Sequence, residues 1–310
     1  MSPTRPLLGG VELGGTKCIC LIGTAPDDIR DQVSIPTGTE PHKTLGLIAE
    51  QLGNWQGVHG KIAALGIACF GPVDLQPRSP TYGHITSTPK PGWQDVDVVG
   101  HLGAAEPIPT RFDTDVNGAA LAEGRWGAAR ELADFAYVTV GTGVGVGLVV
   151  NGRLVYGFGH PELGHTRVAR LAGDQWPGSC PSHGDCVEGL ASGTAIAART
   201  GAAAELLPVD SPVWQPVAHA IAQLLHTIVL ATAPRRIILG GGVMQSRPQL
   251  IEEVRVRLLR SLNGYLPLEK LTGSIAQYVV APGLGMLAGP LGALALASDA
   301  NCSAANAATR

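Results

Sequence analysis

The sequence predicts an α/β protein of two lobes, and three observations carry this. The chain has 310 residues, long for one hydrophobic core and comfortable for two. It opens with two apolar segments joined by a short glycine turn, followed by a helical pattern and another strand. A second glycine-turned apolar pair, again followed by helices, lies at 138–150. The chain therefore reads as an internal duplication, two α/β lobes facing each other across a cleft. The expected division is a small lobe at 1–112, a larger one at 113–283, and a C-terminal helix and tail at 284–310 packing back on the first.

The elements follow in order. Residues 7–13 (LLGGVEL) and 17–23 (KCICLIG) are strands around Gly14, Gly15 and Thr16. Residues 41–53 carry helical apolar spacing and are expected to stop at Gly53. Residues 62–70 (IAALGIACF) form a buried strand closed by Gly71 and Pro72, and the Pro-, Gly-, Ser- and Thr-rich stretch at 76–95 is a long loop. A strand at 107–112 leads into a helix at 113–126. The 138–150 pair is strand, turn, strand, whereas 159–189 has no period. Helices are expected at 191–199, 213–233 and 249–262, and strands at 236–239 and 274–281. A final Ala/Gly/Leu helix spans 284–297, with 298–310 frayed.

Composition narrows the function classes. Hydrophobic residues make up 45% and charged residues 15%, the mix of a globular and not a disordered chain. A net charge of −3 without a basic run argues against a nucleic-acid partner. A phosphorylated ligand stays open, since backbone amides and a few local cations suffice to bind one. No run of eighteen apolar residues and no signal-peptide pattern is present, so no membrane association is expected. Of six cysteines, Cys18, Cys20 and Cys69 sit in apolar strand-like runs and Cys180 and Cys186 in a metal-like spacing. That usage points to the cytoplasm and not to a disulfide framework.

Four features could carry chemistry. Glu12-Leu13-Gly14-Gly15-Thr16-Lys17 and Gly141-Thr142-Gly143-Val144-Gly145 place Gly and Thr between apolar strands, so backbone N–H groups could close on phosphate oxygens. Each is equally a plain hairpin turn, and neither is a P-loop. A third cluster, Gly240, Gly241 and Gly242, follows a strand and favours a nucleotide. Asp115 lies where a strand gives way to a helix, suited to receive a hydroxyl proton in phosphoryl transfer, but Asp113, Thr114 or Asp115 would also serve as a helix cap. His165, Cys180, His183 and Cys186 have the spacing and donor types of a closed, structural zinc site, against buried free thiols. Glu162 and Glu188 flank that cluster and suit a polyol's hydroxyls, or are solvated loop carboxylates.

Together, ELGGTK, DTDVN, VGTGVGVG, HPELGH, CPSHGDCVEG and ILGGGV resemble the ROK family (repressors, open reading frames and kinases) over about residues 8–297. The resemblance implies a ribonuclease-H-like, actin-like ATPase fold with a zinc knuckle, a sugar-kinase activity and a homodimer. It implies that Asp115 is the catalytic base and that Glu162, His165 and Glu188 contact the sugar, His165 also binding zinc. Gly14, Gly15, Thr16, Lys17, Thr142 and Gly143 match the phosphate turns, and Gly240, Gly241 and Gly242 the adenosine side. Glu12, Thr114 and His183 depart from the common Asp, Asn and Cys. With the segment 82–93 (YGHITSTPKPGW), Glu12 and the His-containing knuckle resemble the family's bacterial fructokinases. That segment is expected to cover the sugar, with Thr88 in contact and Lys90 reaching either sugar or solvent; otherwise it is an ordinary Pro/Gly loop.

The expected reaction takes ATP, Mg²⁺ and D-fructose to fructose 6-phosphate, with Zn²⁺ structural. Another hexose (glucose, mannose, an N-acyl hexosamine) is the nearest alternative. A sugar-responsive repressor would need a helix-turn-helix module ahead of a first strand that begins near Leu7. A non-catalytic sugar-binding protein would not need Asp115.

Overall fold

The computed structural model describes residues 5–103, 108–267 and 273–308. The chain divides into two compact units, one of Met1–Gly127, Tyr156–His160 and Met286–Arg310, the other of Ala128–Val155 and Pro161–Gly285.

In the first unit β1 (Leu8–Leu13), β2 (Lys17–Ala25) and β3 (Asp28–Pro36) form an antiparallel meander, and β4 (Ala64–Cys69) and β5 (Thr110–Thr114) continue the sheet in parallel with β1. The order is β3-β2-β1-β4-β5. β4 is buried at every position, and it reads as a continuous apolar run because both faces are covered. Helix α1 (Pro41–His59) lays Leu45, Ile48, Leu52 and Trp55 on one face, at helical spacing. α2 (Val98–Gly103) adds Val98 and Leu102 to the same core. The helices α3 (Asp115–Trp126) and α10 (Ala288–Ala308) pack with small residues such as Ala68 and Ala293.

The second unit repeats this plan. β6 (Phe135–Val140), β7 (Val144–Val150) and the short β8 (Arg153–Leu154) are antiparallel, and β9 (Arg236–Gly240) and β10 (Val279–Val280) extend the sheet in parallel from β6. Its order, β10-β9-β6-β7-β8, is the first unit's order element for element. The duplication expected from the glycine-turned pairs is therefore present as topology. α4 (Val187–Ala191), α5 (Gly193–Thr200), α6 (Trp214–Thr232), α7 (Gly242–Ser246) and α8 (Leu250–Leu262) build the core on this sheet.

Several expectations are corrected. β3 was not foreseen, because its exposed polar residues suit an edge strand and break the apolar run. α1 runs through Gly53 to His59, since burying Trp55 outweighs the roughly 1 kcal/mol that an internal glycine costs. β5 includes Asp113 and Thr114, so the helix starts at Asp115, not 113; Pro107, the expected strand start, lies outside the described residues. The unit boundary falls after Gly127 and not at 112, because α3 packs on α10 and β4. The 191–199 helix is broken at Ser192, which caps α5. Of the residues expected as a strand at 274–281, half form a helix, α9 (Ile275–Tyr278), and only Val279 and Val280 are strand, as β10. The tail at 298–308 is helical and not frayed: Asp299 pairs with Arg111 at 2.7 Å and with Arg125, tying α10 to β5 and α3.

Candidate active site

In the first unit the parallel strands end together. Leu13, Cys69 and Thr114 stand in register, so the glycine turn after β1 and the start of α3 share the carboxyl edge of the sheet, where α/β folds bind ligands. The turn is closed by Gly14 N–H to the Lys17 carbonyl at 3.1 Å. Each of its three carbonyls is bonded by a protein donor. The buried Thr37 hydroxyl donates to Gly14 O (2.7 Å) and its amide to Thr16 O (3.1 Å), and the Lys90 ammonium donates to Gly15 O (2.6 Å). With its oxygens so occupied, the exposed tip at Gly15 and Thr16 favours an anion over a cation.

Asp115 follows directly. Thr114 is the helix cap, its hydroxyl accepting from Asn117 N–H at 3.2 Å, so Asp115 is not needed for that role. One Asp115 oxygen accepts from Val116 N–H at 2.8 Å. Burial pushes Asp115 up to about 6, partly offset by backbone N–H groups. Burial and the neighbouring Asp115 charge push Glu12 up to about 7, with Lys17 pulling back. A carboxyl near 6 suits a base working near neutrality. Behind it, buried Asp113 accepts from Asn117 Nδ2 (2.7 Å), from Thr114 N–H (2.8 Å) and from the Tyr156 hydroxyl. The 82–93 loop is anchored by fully buried Trp93, whose indole N–H donates to Gly38 O at 3.0 Å. Thr88 is half-buried, and its hydroxyl accepts from Lys90 N–H at 3.3 Å.

In the second unit the turn at 141–143 is held from below. Gly193 N–H donates to Gly141 O at 2.7 Å and the Thr194 hydroxyl to Thr142 O at 2.8 Å. Glu188 accepts from Val144 N–H at 3.0 Å through Oε2, and a methyl on Gly143 would lie 2.5 Å from that oxygen. Gly241 has φ +95°, and a side chain there would strike Val140 O at 2.4 Å. Gly242 opens α7, and its amide nitrogen would lie 3.9 Å from a methyl on Gly141, so the turns at 141–143 and 240–242 are neighbours.

The knuckle assembles as the spacing predicts. His165, Cys180, His183 and Cys186 present ligand atoms all within 4.8 Å of one another. His165 Nδ1 is 3.2 Å from His183 Nδ1, 3.6 Å from Cys180 Sγ and 3.6 Å from Cys186 Sγ. A tetrahedral zinc with ordinary Zn–N and Zn–S bonds has N···N and N···S edges of about 3.3 and 3.6 Å, so the set fits that ion. The donors Cys180, His183 and Cys186 come from one short loop, closed by paired Cys180 and Gly184 backbone bonds, and Cys186 caps α4. With Nδ1 in the cluster, His165 turns Nε2 towards Glu188 Oε1 at 3.9 Å. The structure thus joins the knuckle, His165, Glu188 and the Gly143 turn. Glu162 is exposed and precedes the short 3₁₀ turn Leu163–His165.

Residues 8–300 match the ROK family. The chain belongs to the ROK family. Among ROK relatives it is similar to the fructokinase of Pediococcus pentosaceus, 42% identical over 95% of this chain and 98% of the relative. The fructokinase of Zymomonas mobilis is 39% identical, over 96% and 98% of the two chains. Among solved structures, the ROK hexokinase of Thermus thermophilus superposes with a TM-score of 0.75 at 27% identity, over 94% of this chain and 98% of that one. The fold is accordingly the ribonuclease-H-like, actin-like ATPase fold. Sequence reasoning missed the Thr37, Lys90 and Tyr156 contacts. Each is an ordinary residue type made special only by a partner far away in the chain.

Proposed function

We propose that the chain is a fructokinase that transfers the γ-phosphoryl group of MgATP to the 6-hydroxyl of D-fructose. The observation that carries this reading is Asp115 at the carboxyl edge of the sheet, beside a glycine turn whose carbonyls are all bonded inward. Asp115 orients the hydroxyl in line and takes its proton late, because an alcohol is too weak an acid to ionise first. The turns at 14–16 and 141–143 hold the phosphates, Gly240, Gly241 and Gly242 face adenosine, and Mg²⁺ enters with the nucleotide. Glu162, His165, Glu188 and Thr88 bind the sugar. Zinc in the four-donor site fixes the backbone that carries three of these; the closed set leaves it no position for substrate. The fructokinase relatives support the choice of sugar.

We further propose a cytoplasmic homodimer. Among the described residues all the cysteines are free, and no helix is long and apolar enough to cross a membrane. An ADP-release assay over fructose, glucose, mannose and N-acetylmannosamine tests the activity. Fructose is expected to give the highest kcat/KM, with fructose 6-phosphate as product. A higher value for any other sugar overturns the fructose assignment, and the absence of any sugar-dependent turnover overturns the kinase assignment. Light scattering after size exclusion checks the dimer.

A further inference from the structure

Lys90 has no role in the reaction as drawn so far, yet its position is strongly constrained. Trp93 is buried and hydrogen-bonded, Gly92 packs so closely that a methyl would lie 2.3 Å from Thr39 O, and Thr88 caps the Lys90 amide. These contacts fix the loop from behind, and the Lys90 ammonium reaches Gly15 O at 2.6 Å. Gly15 is the tip of the turn, with open space where a side chain would be. Of the turn's three carbonyls, this one alone is covered by a cation; Thr37 serves the other two. A hydroxyl or amide would satisfy an exposed carbonyl equally well. What the ammonium adds is positive charge at the exposed tip of the turn.

We propose that Lys90 is a further catalytic residue, whose ammonium contacts the transferring γ-phosphoryl group while anchored on Gly15 O. The proposal rests on reading the Gly14–Thr16 turn as a phosphate site. An ammonium has three donors, of which Gly15 O takes one. The remaining two can meet phosphoryl oxygens, where charge builds as the bond to the leaving group breaks. The edge otherwise carries Glu12 and Asp115, so a second cation beside Lys17 offsets the repulsion a triphosphate meets there. The covering loop thereby also reads the nucleotide, and not the sugar alone.

The test compares Lys90→Met and Lys90→Gln with the parent, by calorimetric binding of Mg²⁺-AMPPNP and of Mg²⁺-ADP without sugar. Lys90→Gln keeps a donor for Gly15 O and serves should Lys90→Met fold poorly. AMPPNP affinity is expected to fall by about tenfold or more, the loss of a charge-assisted hydrogen bond, with ADP affinity changed less than about twofold. With the best sugar of the panel, kcat should fall by about a hundredfold while the sugar KM moves less than about threefold. Equal losses for AMPPNP and ADP would show that Lys90 only pins the loop, and no loss for either would show that it does not meet phosphate. Either overturns the proposal while the kinase reading stands. A parent protein that binds neither nucleotide overturns both.

Discussion

Gly143→Ala tests the link between the turn at 141–143 and the knuckle. The new methyl would sit 2.5 Å from Glu188 Oε2, well inside van der Waals contact. Gly143 does not have a left-handed φ, so the backbone accepts alanine and the clash is the whole effect. The Glu188 side chain is 26% exposed and can swing outward, but only by giving up its 3.0 Å bond from Val144 N–H. A hydrogen bond to a charged group is worth about 1.5–3 kcal/mol, so Gly143→Ala should destabilise by roughly that amount. Glu188→Ala loses the same bond by another route. In the double variant there is neither clash nor bond, and its loss should equal that of Glu188→Ala alone. The coupling is then about 1.5–3 kcal/mol, read from chemical denaturation of the three variants and the parent. Additivity within about 0.5 kcal/mol would refute the reasoning.

The remaining predictions concern Asp115, Glu12 and the knuckle. Asp115→Asn should lower kcat/KM by at least about a hundredfold with nucleotide affinity retained; near-normal turnover removes Asp115 as the base. In the parent, kcat/KM should rise with pH through about 6 and then level, because the base must be ionised; a fall across that range contradicts the assignment. Glu12 is raised to about 7, above its ordinary value, so the folded state binds its proton more tightly than the unfolded chain. That contribution is complete below the ordinary carboxylate range and is lost as pH rises through about 7. Glu12→Gln should therefore gain in melting temperature over the parent between pH 5 and 8, and a difference independent of pH would speak against it. Elemental analysis should find about one zinc per chain, absent in Cys186→Ser, with a raised sugar KM; metal-free protein with unchanged kinetics would disconnect the knuckle from the sugar site.

Legibility in the sequence followed the range of the interaction. The hairpin turns at 14–16 and 141–143 were readable because turn chemistry is local. So were three of the four donors of the knuckle, packed within Cys180-Pro-Ser-His183-Gly-Asp-Cys186. The end of α1 was misread because a glycine inside a helix looks like a stop until Trp55, beyond it, is seen to be buried. Residues 298–308 looked frayed because nothing nearby reveals that Asp299 meets Arg111 and Arg125, far back in the chain.

The sequence by itself determined the duplicated α/β plan, the donor set of the knuckle and the place of Asp115 at a strand-to-helix junction. These depend on period, turn residues and spacing, which neighbouring residues encode. Only the tertiary structure decided what those parts do to one another. Lys90 lies 75 residues from the Gly15 carbonyl it covers, Glu188 lies 44 from the Val144 amide it holds, and Tyr156 lies 43 from the Asp113 it bonds. Thr114 was chosen over its neighbours as the cap because β5 runs on through Asp113, a register set by pairing with β4. Hydrogen bonds and packing act over a few ångströms of space, whatever the separation along the chain. Which side chains share those few ångströms is settled only when the strands are in register.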